Sequence, residues 1–376
     1  MFILQFLIIL LATKLAGQIS IRLGQPSVLG KIIIGIIIGP ALLGWIKDTE
    51  IIKTFSDVGV LLLMFLAGLE TNLADLNKNK KSSLFVAIGG IIFPIAGGFI
   101  GGYAYNLSVS ESIFLGLVLS ATSVSISVQT LRELGWLKSK EGSTLLGAAV
   151  IDDIAVVILL AIDMSFFLGE NVNIFMLLVG KVVFFAISIL IAKLIVPTFI
   201  RLFSKLKVTE PLLSGALIIC FSFAVFAEYL GVAGIIGTFI AGIAVGQTIY
   251  KKEIEVKVES IAYGIFVPIF FASIGLAVSF NGIREQLIFT IVFSFIAIAT
   301  KFVGAGLGAR LSGFNTHSSM GIGSGMISRG EVALIVVAMG LENSLIPIEY
   351  YTPMIIVIIV TTLATPPMLK IFFNKR

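Results

Sequence analysis

Long apolar runs joined by short polar hinges occupy this sequence almost without interruption. A stretch of about 20 apolar residues crosses the hydrocarbon core of a bilayer as one helix. Inside that core each backbone N–H and C=O must find its partner within the protein, so helices are the form such runs take. Composition agrees: of 376 residues, 58% are hydrophobic and 12% charged, with a mean hydropathy of +1.11. A soluble domain of this length needs a charged surface that the chain lacks. The expected fold is an all-α polytopic membrane protein.

Thirteen spans are expected, at about 1–21, 28–46, 55–70, 83–106, 111–131, 142–168, 173–200, 211–230, 231–249, 260–280, 285–309, 316–341 and 350–372. The first lacks the basic start and small-residue cleavage site of a removed signal peptide. No soluble regulatory domain is expected on either side of the spans. The single cysteine, Cys220, excludes an internal disulfide and a cysteine metal cluster. The sole histidine, His317, excludes a paired-histidine zinc motif. No cofactor motif is present, and a transporter is expected in preference to an enzyme.

The net charge of +5 invites a nucleic-acid reading, but its distribution points to topology. Seventeen basic residues, among them Lys78, Lys80, Lys81, Lys251 and Lys370, fall in loops on one side. The other side has Lys47, Lys53 and Arg284. Lys and Arg favour cytoplasmic loops, which puts the N-terminus outside and the C-terminus in the cytoplasm of a plasma-membrane protein. No nucleic-acid partner is expected.

The chain also resembles itself. Val28-Leu29-Gly30, followed by Gly39, answers to Val232-Ala233-Gly234, followed by Gly242. The next span carries Met64-Phe65-Leu66-Ala67-Gly68-Leu69 in one case and Phe270-Phe271-Ala272-Ser273-Ile274-Gly275-Leu276 in the other. The offsets, 204 and 207 residues, agree with each other. A displacement of seven spans is odd, so the two halves are expected to be inverted, as in many secondary transporters.

Within the spans stand Lys14, Lys31, Lys181, Lys193, Lys301 and Arg329, and the acids Asp152, Asp153 and Glu331. A charge at mid-bilayer costs on the order of 3 kcal/mol, so each needs a partner, a cavity or a task. Lys14, Lys31, Lys181 and Lys193 are expected to snorkel or to line helix interfaces. Asp152 and Asp153 lie about 11 residues beyond Glu141, roughly 16 Å deep. Lys301 lies nine residues before Arg310 on a span of opposite direction, roughly 13 Å from the same face. Neighbouring helix positions project about 100° apart, so one aspartate pairs with Lys301 while the other points elsewhere. Two adjacent carboxylates repel and titrate together with Lys301 as a set. A hard cation takes oxygen ligands only once their proton has left, and that competition is the minimum needed for antiport. The hydroxyl run Ser120-Ala121-Thr122-Ser123-Val124-Ser125-Ile126-Ser127 and the stretch Gly321, Gly323, Gly325, Ser328-Arg329-Gly330-Glu331 offer neutral ligands and irregular backbone.

Ala148-Ala149-Val150-Ile151-Asp152-Asp153, Lys301-Phe302, Ser328-Arg329-Gly330-Glu331 and Gly68-Leu69-Glu70 together resemble the monovalent cation:proton antiporter-2 family, in particular its NapA-type sodium/proton antiporters. The resemblance implies a homodimer with an ion-binding core bundle over about 83–168 and 285–372. An interface bundle would cover about 1–70 and 211–280, with a linker helix at 173–200. It implies an elevator-like step of the core and electrogenic exchange of Na⁺, or Li⁺ or K⁺, for H⁺. Asp153 is implied as the carrier of cation and proton, Asp152 as the partner of Lys301, and Thr122 and Ser123 as residues of the binding region. Ser328, Arg329, Glu331 and Glu70 are implied as supporting. No proline stands in the Thr122 region, unlike the family pattern. A Kef-like potassium/proton antiporter is the alternative, although such proteins carry Gln-Asp and a C-terminal nucleotide-binding domain. An intramembrane aspartyl protease needs carboxylates on facing helices, which adjacent aspartates do not provide. An organic-anion symporter would instead use Lys301 to meet its substrate.

Overall fold

The computed structural model describes residues 2–23, 25–47, 49–71, 73–167, 174–278, 285–342 and 345–373. All regular structure among them is helical. The chain begins with α1 (Phe2–Arg22), α2 (Ser27–Ile38), α3 (Glu50–Glu70), α4 (Leu73–Lys78), α5 (Lys80–Ala104) and α6 (Val109–Ser120). It continues with α7 (Val124–Leu134), α8 (Lys140–Phe167), α9 (Ile174–Leu194), α10 (Val196–Phe203), α11 (Pro211–Tyr229) and α12 (Gly234–Gly246). The last six are α13 (Lys251–Ile261), α14 (Val267–Leu276), α15 (Leu287–Leu311), α16 (Thr316–Gly325), α17 (Glu331–Glu342) and α18 (Ile348–Phe372).

Nine stretches among the described residues are long and apolar enough to cross a membrane. A tenth is the pair Val179–Leu194 and Val196–Phe203, bent by 43°. Helix length alone therefore supports nine or ten spans and does not reach thirteen. Three apolar helices are shorter: Ser27–Ile38, Gly234–Gly246 and Val332–Leu341. The expected span at 28–46 stops early because Pro40 holds Gly39 out of the helical region, at φ −80° and ψ −177°. The expected span at 260–280 starts early instead. Lys251–Ile261 is polar but made largely of good helix formers, with Lys257 2.8 Å from Glu253 one turn away. A π-turn over Ala262–Phe266 then joins α13 to α14 as one continuous span.

The chain divides into two compact units. The first comprises Met1–Asp48, Leu76–Val172 and Ile274–Arg376, the second Thr49–Asp75 and Asn173–Ser273. Helices α1 and α2, implied by the resemblance to belong with the interface bundle, fall in the first unit.

In the first unit α5 and α15 cross backbone to backbone. A Cβ at Gly89 would come within 2.1 Å of Gly304 O, and one at Gly304 within 2.2 Å of Gly89 O. Gly275 approaches α2 in the same way, 2.4 Å from Ile32 O and 2.7 Å from the Gly35 carbonyl carbon. The N-terminus of α2 is held by Glu133 of α7, which accepts from Ser27 N at 2.7 Å and from the Ser27 hydroxyl. A carboxylate there suits the positive end of the helix dipole. An apolar cluster that includes Phe114, Val156, Leu160, Phe289, Phe293 and Met354 ties α6, α8, α15 and α18 together.

In the second unit α3 closes on α12. A Cβ at Gly68 would lie 2.2 Å from Phe239 O, and one at Gly242 2.1 Å from Phe65 O. Ser56 and Ser273 share a 2.7 Å hydrogen bond. Lys14 and Lys193 are exposed on α1 and α9, but Lys181 does not snorkel. It is buried and donates to Gly231 O at 2.7 Å, because the Tyr229–Gly231 turn leaves a carbonyl within reach.

Candidate ion-binding site

Two spans of the first unit are broken. Between α6 and α7, residues Ala121 to Ser123 leave the helical region, with Ala121 at φ −59°, ψ 137° and Ser123 at φ −90°, ψ 108°. Between α16 and α17, Met326 closes the last turn and Ile327 to Gly330 leave the helix. The sequence favours both breaks. Serine and threonine offer the backbone alternative bonds, and Gly321, Gly323 and Gly325 weaken the turns before the second break. No proline is needed.

The breaks meet and satisfy each other. Ser123 N donates to Ser328 O at 2.7 Å, and the Ser328 hydroxyl donates to Ser123 O at 2.7 Å. The Ser127 hydroxyl donates to Gly325 O and lies 3.1 Å from Ser328 Oγ. Gly330 is required here, since a Cβ in its place would sit 2.5 Å from Ser123 Oγ. A helix end leaves its last carbonyls without partners, and in a membrane interior no water is at hand for them. At the end of α6 two cations fill that role. Lys301 Nζ donates to Ser120 O, and Arg329 donates to Leu119 O through Nε, at 3.1 Å, and Nη2. Arg329 Nη1 reaches Ile327 O across the second break, and the Thr362 hydroxyl of α18 donates to Arg329 O. Arg329 is thus a bracket between the two breaks.

Against this crossing α8 presents its acids. Asp152 is fully buried, as are Lys301 and Arg329, and Asp153 is 5% exposed. Asp152 Oδ2 accepts from Lys301 Nζ at 2.9 Å and from the Thr122 hydroxyl. Its Oδ1 has no hydrogen-bond partner among the described residues. Lys301 also lies in the field of Asp153 and Arg329. Gly90 of α5 makes room for the lysine: a Cβ there would meet Cε and Nζ at 3.5 Å. Two carboxylates, an ammonium and a guanidinium with a hydroxyl between them can hold or release a cation or protons, and nothing in the set is arranged for bond cleavage.

Several residues named from the sequence lie together here: Asp152, Asp153, Thr122, Ser123, Lys301, Ser328 and Arg329. Glu70 belongs to the second unit, where its carboxylate comes within 4.8 Å of those of Glu255 and Glu259. The Glu331 backbone opens α17, and its side chain lies outside the described residues. Sequence reasoning missed the acceptors of Lys301 and Arg329, which are main-chain carbonyls. It also passed over Asp163, whose signal is its spacing of eleven residues from Asp152.

Residues 7–375 match the family model described as sodium/hydrogen exchanger, transmembrane. The chain is 56% identical over 375 residues to the Na⁺/H⁺-K⁺ antiporter GerN of Bacillus cereus, covering 100% of this chain and 97% of that one. It is 42% identical over 371 residues to a Na⁺/H⁺ antiporter of Enterococcus hirae, covering 98% and 97%. Its fold is similar to that of the sodium proton antiporter MjNhaP1 from Methanocaldococcus jannaschii, with a TM-score of 0.72 at 15% identity over 96% of this chain and 93% of that one.

Proposed function

The chain belongs to the sodium/hydrogen exchanger family, whose members are transporters and not enzymes, and on that premise we propose that it exchanges Na⁺ for H⁺ at Asp153. The observation that carries the reading is the buried pair of Asp152 and Lys301, 2.9 Å apart beside Asp153 where two broken helices cross. Lys301 engages Asp152 Oδ2, and Asp153 is the carboxylate that the family resemblance assigns to trading a proton for a cation. The two ligands need the same carboxylate in opposite protonation states, so occupancy by one expels the other.

The finer parts of the reading rest on further observations. If the bent pair and the three shorter apolar helices also count as spans, the total is the thirteen of the sequence reading. Reciprocal contacts support an inverted repeat. An offset of 204 takes Gly35 to Phe239 and one of 207 takes Gly68 to Gly275, and Gly68 meets Phe239 as Gly275 meets Gly35. A repeat of that kind suits alternating access by an elevator-like shift of the core bundle. The loop charge bias supports a plasma-membrane protein with its N-terminus outside and C-terminus in the cytoplasm. The Asp-Asp pair with Lys301 supports electrogenic exchange, and the resemblance supports a homodimer.

Potassium is the second reading for the cation, favoured by the relative named a Na⁺/H⁺-K⁺ antiporter at 56% identity. The test is a pH-sensitive dye in proteoliposomes, with Na⁺, Li⁺ or K⁺ added under a clamped potential. Asp153→Asn abolishes the signal while the protein still inserts, and full activity in that variant overturns the reading. A dye response to K⁺ that exceeds the response to Na⁺ reverses the choice of ion.

A further inference from the structure

Asp163 lies eleven residues after Asp152 on α8. At about 100° per residue the two project within about 20° of each other, and at 1.5 Å per residue they are about 16 Å apart. Between them along α8 come Val156, about 40° round from Asp152, and Leu160, about 80° round, both buried in the apolar cluster with Phe114, Phe289 and Phe293. Asp163 is 4% exposed, and neither carboxylate oxygen has a hydrogen-bond partner among the described residues.

Near Asp163 the first unit carries acids on two helices, although Lys47 and Arg284 fall on the same side of the membrane by the loop count. Helix α6 runs antiparallel to α8 from the contact of Thr122 with Asp152, and eleven residues along it is Glu111, at about the depth of Asp163. Glu111 and Glu349, the latter in the first turn of α18, both lie within electrostatic range of Tyr350. Tyr350 lies tilted against Phe289 of the apolar cluster, their ring centroids 4.3 Å apart. The segments 105–112 and 345–352 contain no Lys or Arg. Acidic groups over low-dielectric walls concentrate cations.

A buried carboxyl without a partner is unfavourable whether charged or neutral, since a protonated one still lacks an acceptor for its hydroxyl. An apolar residue would fill the place better if packing were all that mattered. We propose that Asp163 is a staging site for a monovalent cation on the route between the Glu111 end of the unit and Asp153, with Val156 and Leu160 as the apolar barrier between the two stations. The inference rests on the exchange reading and adds a second carboxylate to it. Carboxylate oxygens suit a hard alkali cation, and the shared stripe on α8 sets its direction of travel.

The test is sided. Lys138 is exposed in the turn before α8, and Cys220 is buried, so K138C gives one accessible thiol for a membrane-impermeant maleimide that reports orientation. In oriented proteoliposomes, the half-saturating Na⁺ concentration is measured with Na⁺ at the Glu111 face and at the opposite face. Asp163→Asn raises the ratio of the two several-fold. Asp163→Leu raises it as well, and raises the melting temperature of the detergent-solubilised protein. A ratio equal to wild type in both variants overturns the staging site, as does an equal change at the two faces. Asp153→Asn in the same vesicles reports separately on the exchange reading, so the failure of either is recognisable.

Discussion

The two broken spans solve one problem with different chemistry. The open carbonyls at the end of α6 are met by an ammonium and a guanidinium, from Lys301 and Arg329. The carbonyl of Gly325, at the end of α16, is met by a neutral hydroxyl, from Ser127. A hydroxyl suffices to satisfy a carbonyl, so cations at α6 do more than fill vacant bonds. They set positive charge beside Asp152, and Lys301 bonds carboxylate and helix end with one ammonium. The end of α6 is the electrostatic half of the crossing and the end of α16 the neutral half, with Arg329 reaching from one break to the other through Ile327 O.

The comparison breaks most severely at Arg329. Arg329→Ala leaves the Leu119 and Ile327 carbonyls buried without donors and removes a cation from beside Asp152, with an expected loss of about 3–5 kcal/mol. Thermal unfolding in detergent measures it. Arg329→Lys restores only part, because one ammonium does not reproduce a planar fork between two carbonyls. Next comes Lys301→Met, which keeps most of the length of the side chain and removes the charge. It leaves Asp152 without its cation and costs about 3 kcal/mol, while the exchange rate shifts its dependence on pH and on potential. A variant with wild-type pH and voltage profiles would reduce Lys301 to a packing role. The smallest effect is expected on the neutral half. Ser127→Ala removes the hydroxyl shared by Gly325 O and Ser328 Oγ and costs about 1 kcal/mol, with exchange measured by the same dye assay retained. A larger loss there than at Arg329 would erase the distinction between the halves.

How much of this the sequence displays depends on whether a feature lies in side chains or in main chain. Asp152 and Asp153 stand out because a charge inside an apolar run has no other ready explanation. Counting from Glu141 and from Arg310 brings Lys301 to the same depth, since helices have a fixed rise. The partners of Arg329 were not legible in this way. They are carbonyls freed only where the backbone leaves the helix, and residue types do not announce which carbonyls those are. Helix α13 was missed because its Lys and Glu residues read as a loop on hydropathy alone, although their spacing favours a helix. The end of the 28–46 span was overestimated for the opposite reason: Ile37, Ile38, Leu42 and Leu43 continue the apolar pattern past the point where Gly39-Pro40 stops the helix.

Ser123 and Ser328 exchange hydrogen bonds in both directions. Ser123 gives a main-chain N–H and Ser328 a hydroxyl, so the exchange is mutual in number and different in kind. Neither break keeps its hydrogen bonds if the other moves away, and a buried polar group left unpaired is costly. Under the exchange reading the crossing therefore travels as one piece, and the direction of flow is set by the concentrations and voltage on the two sides.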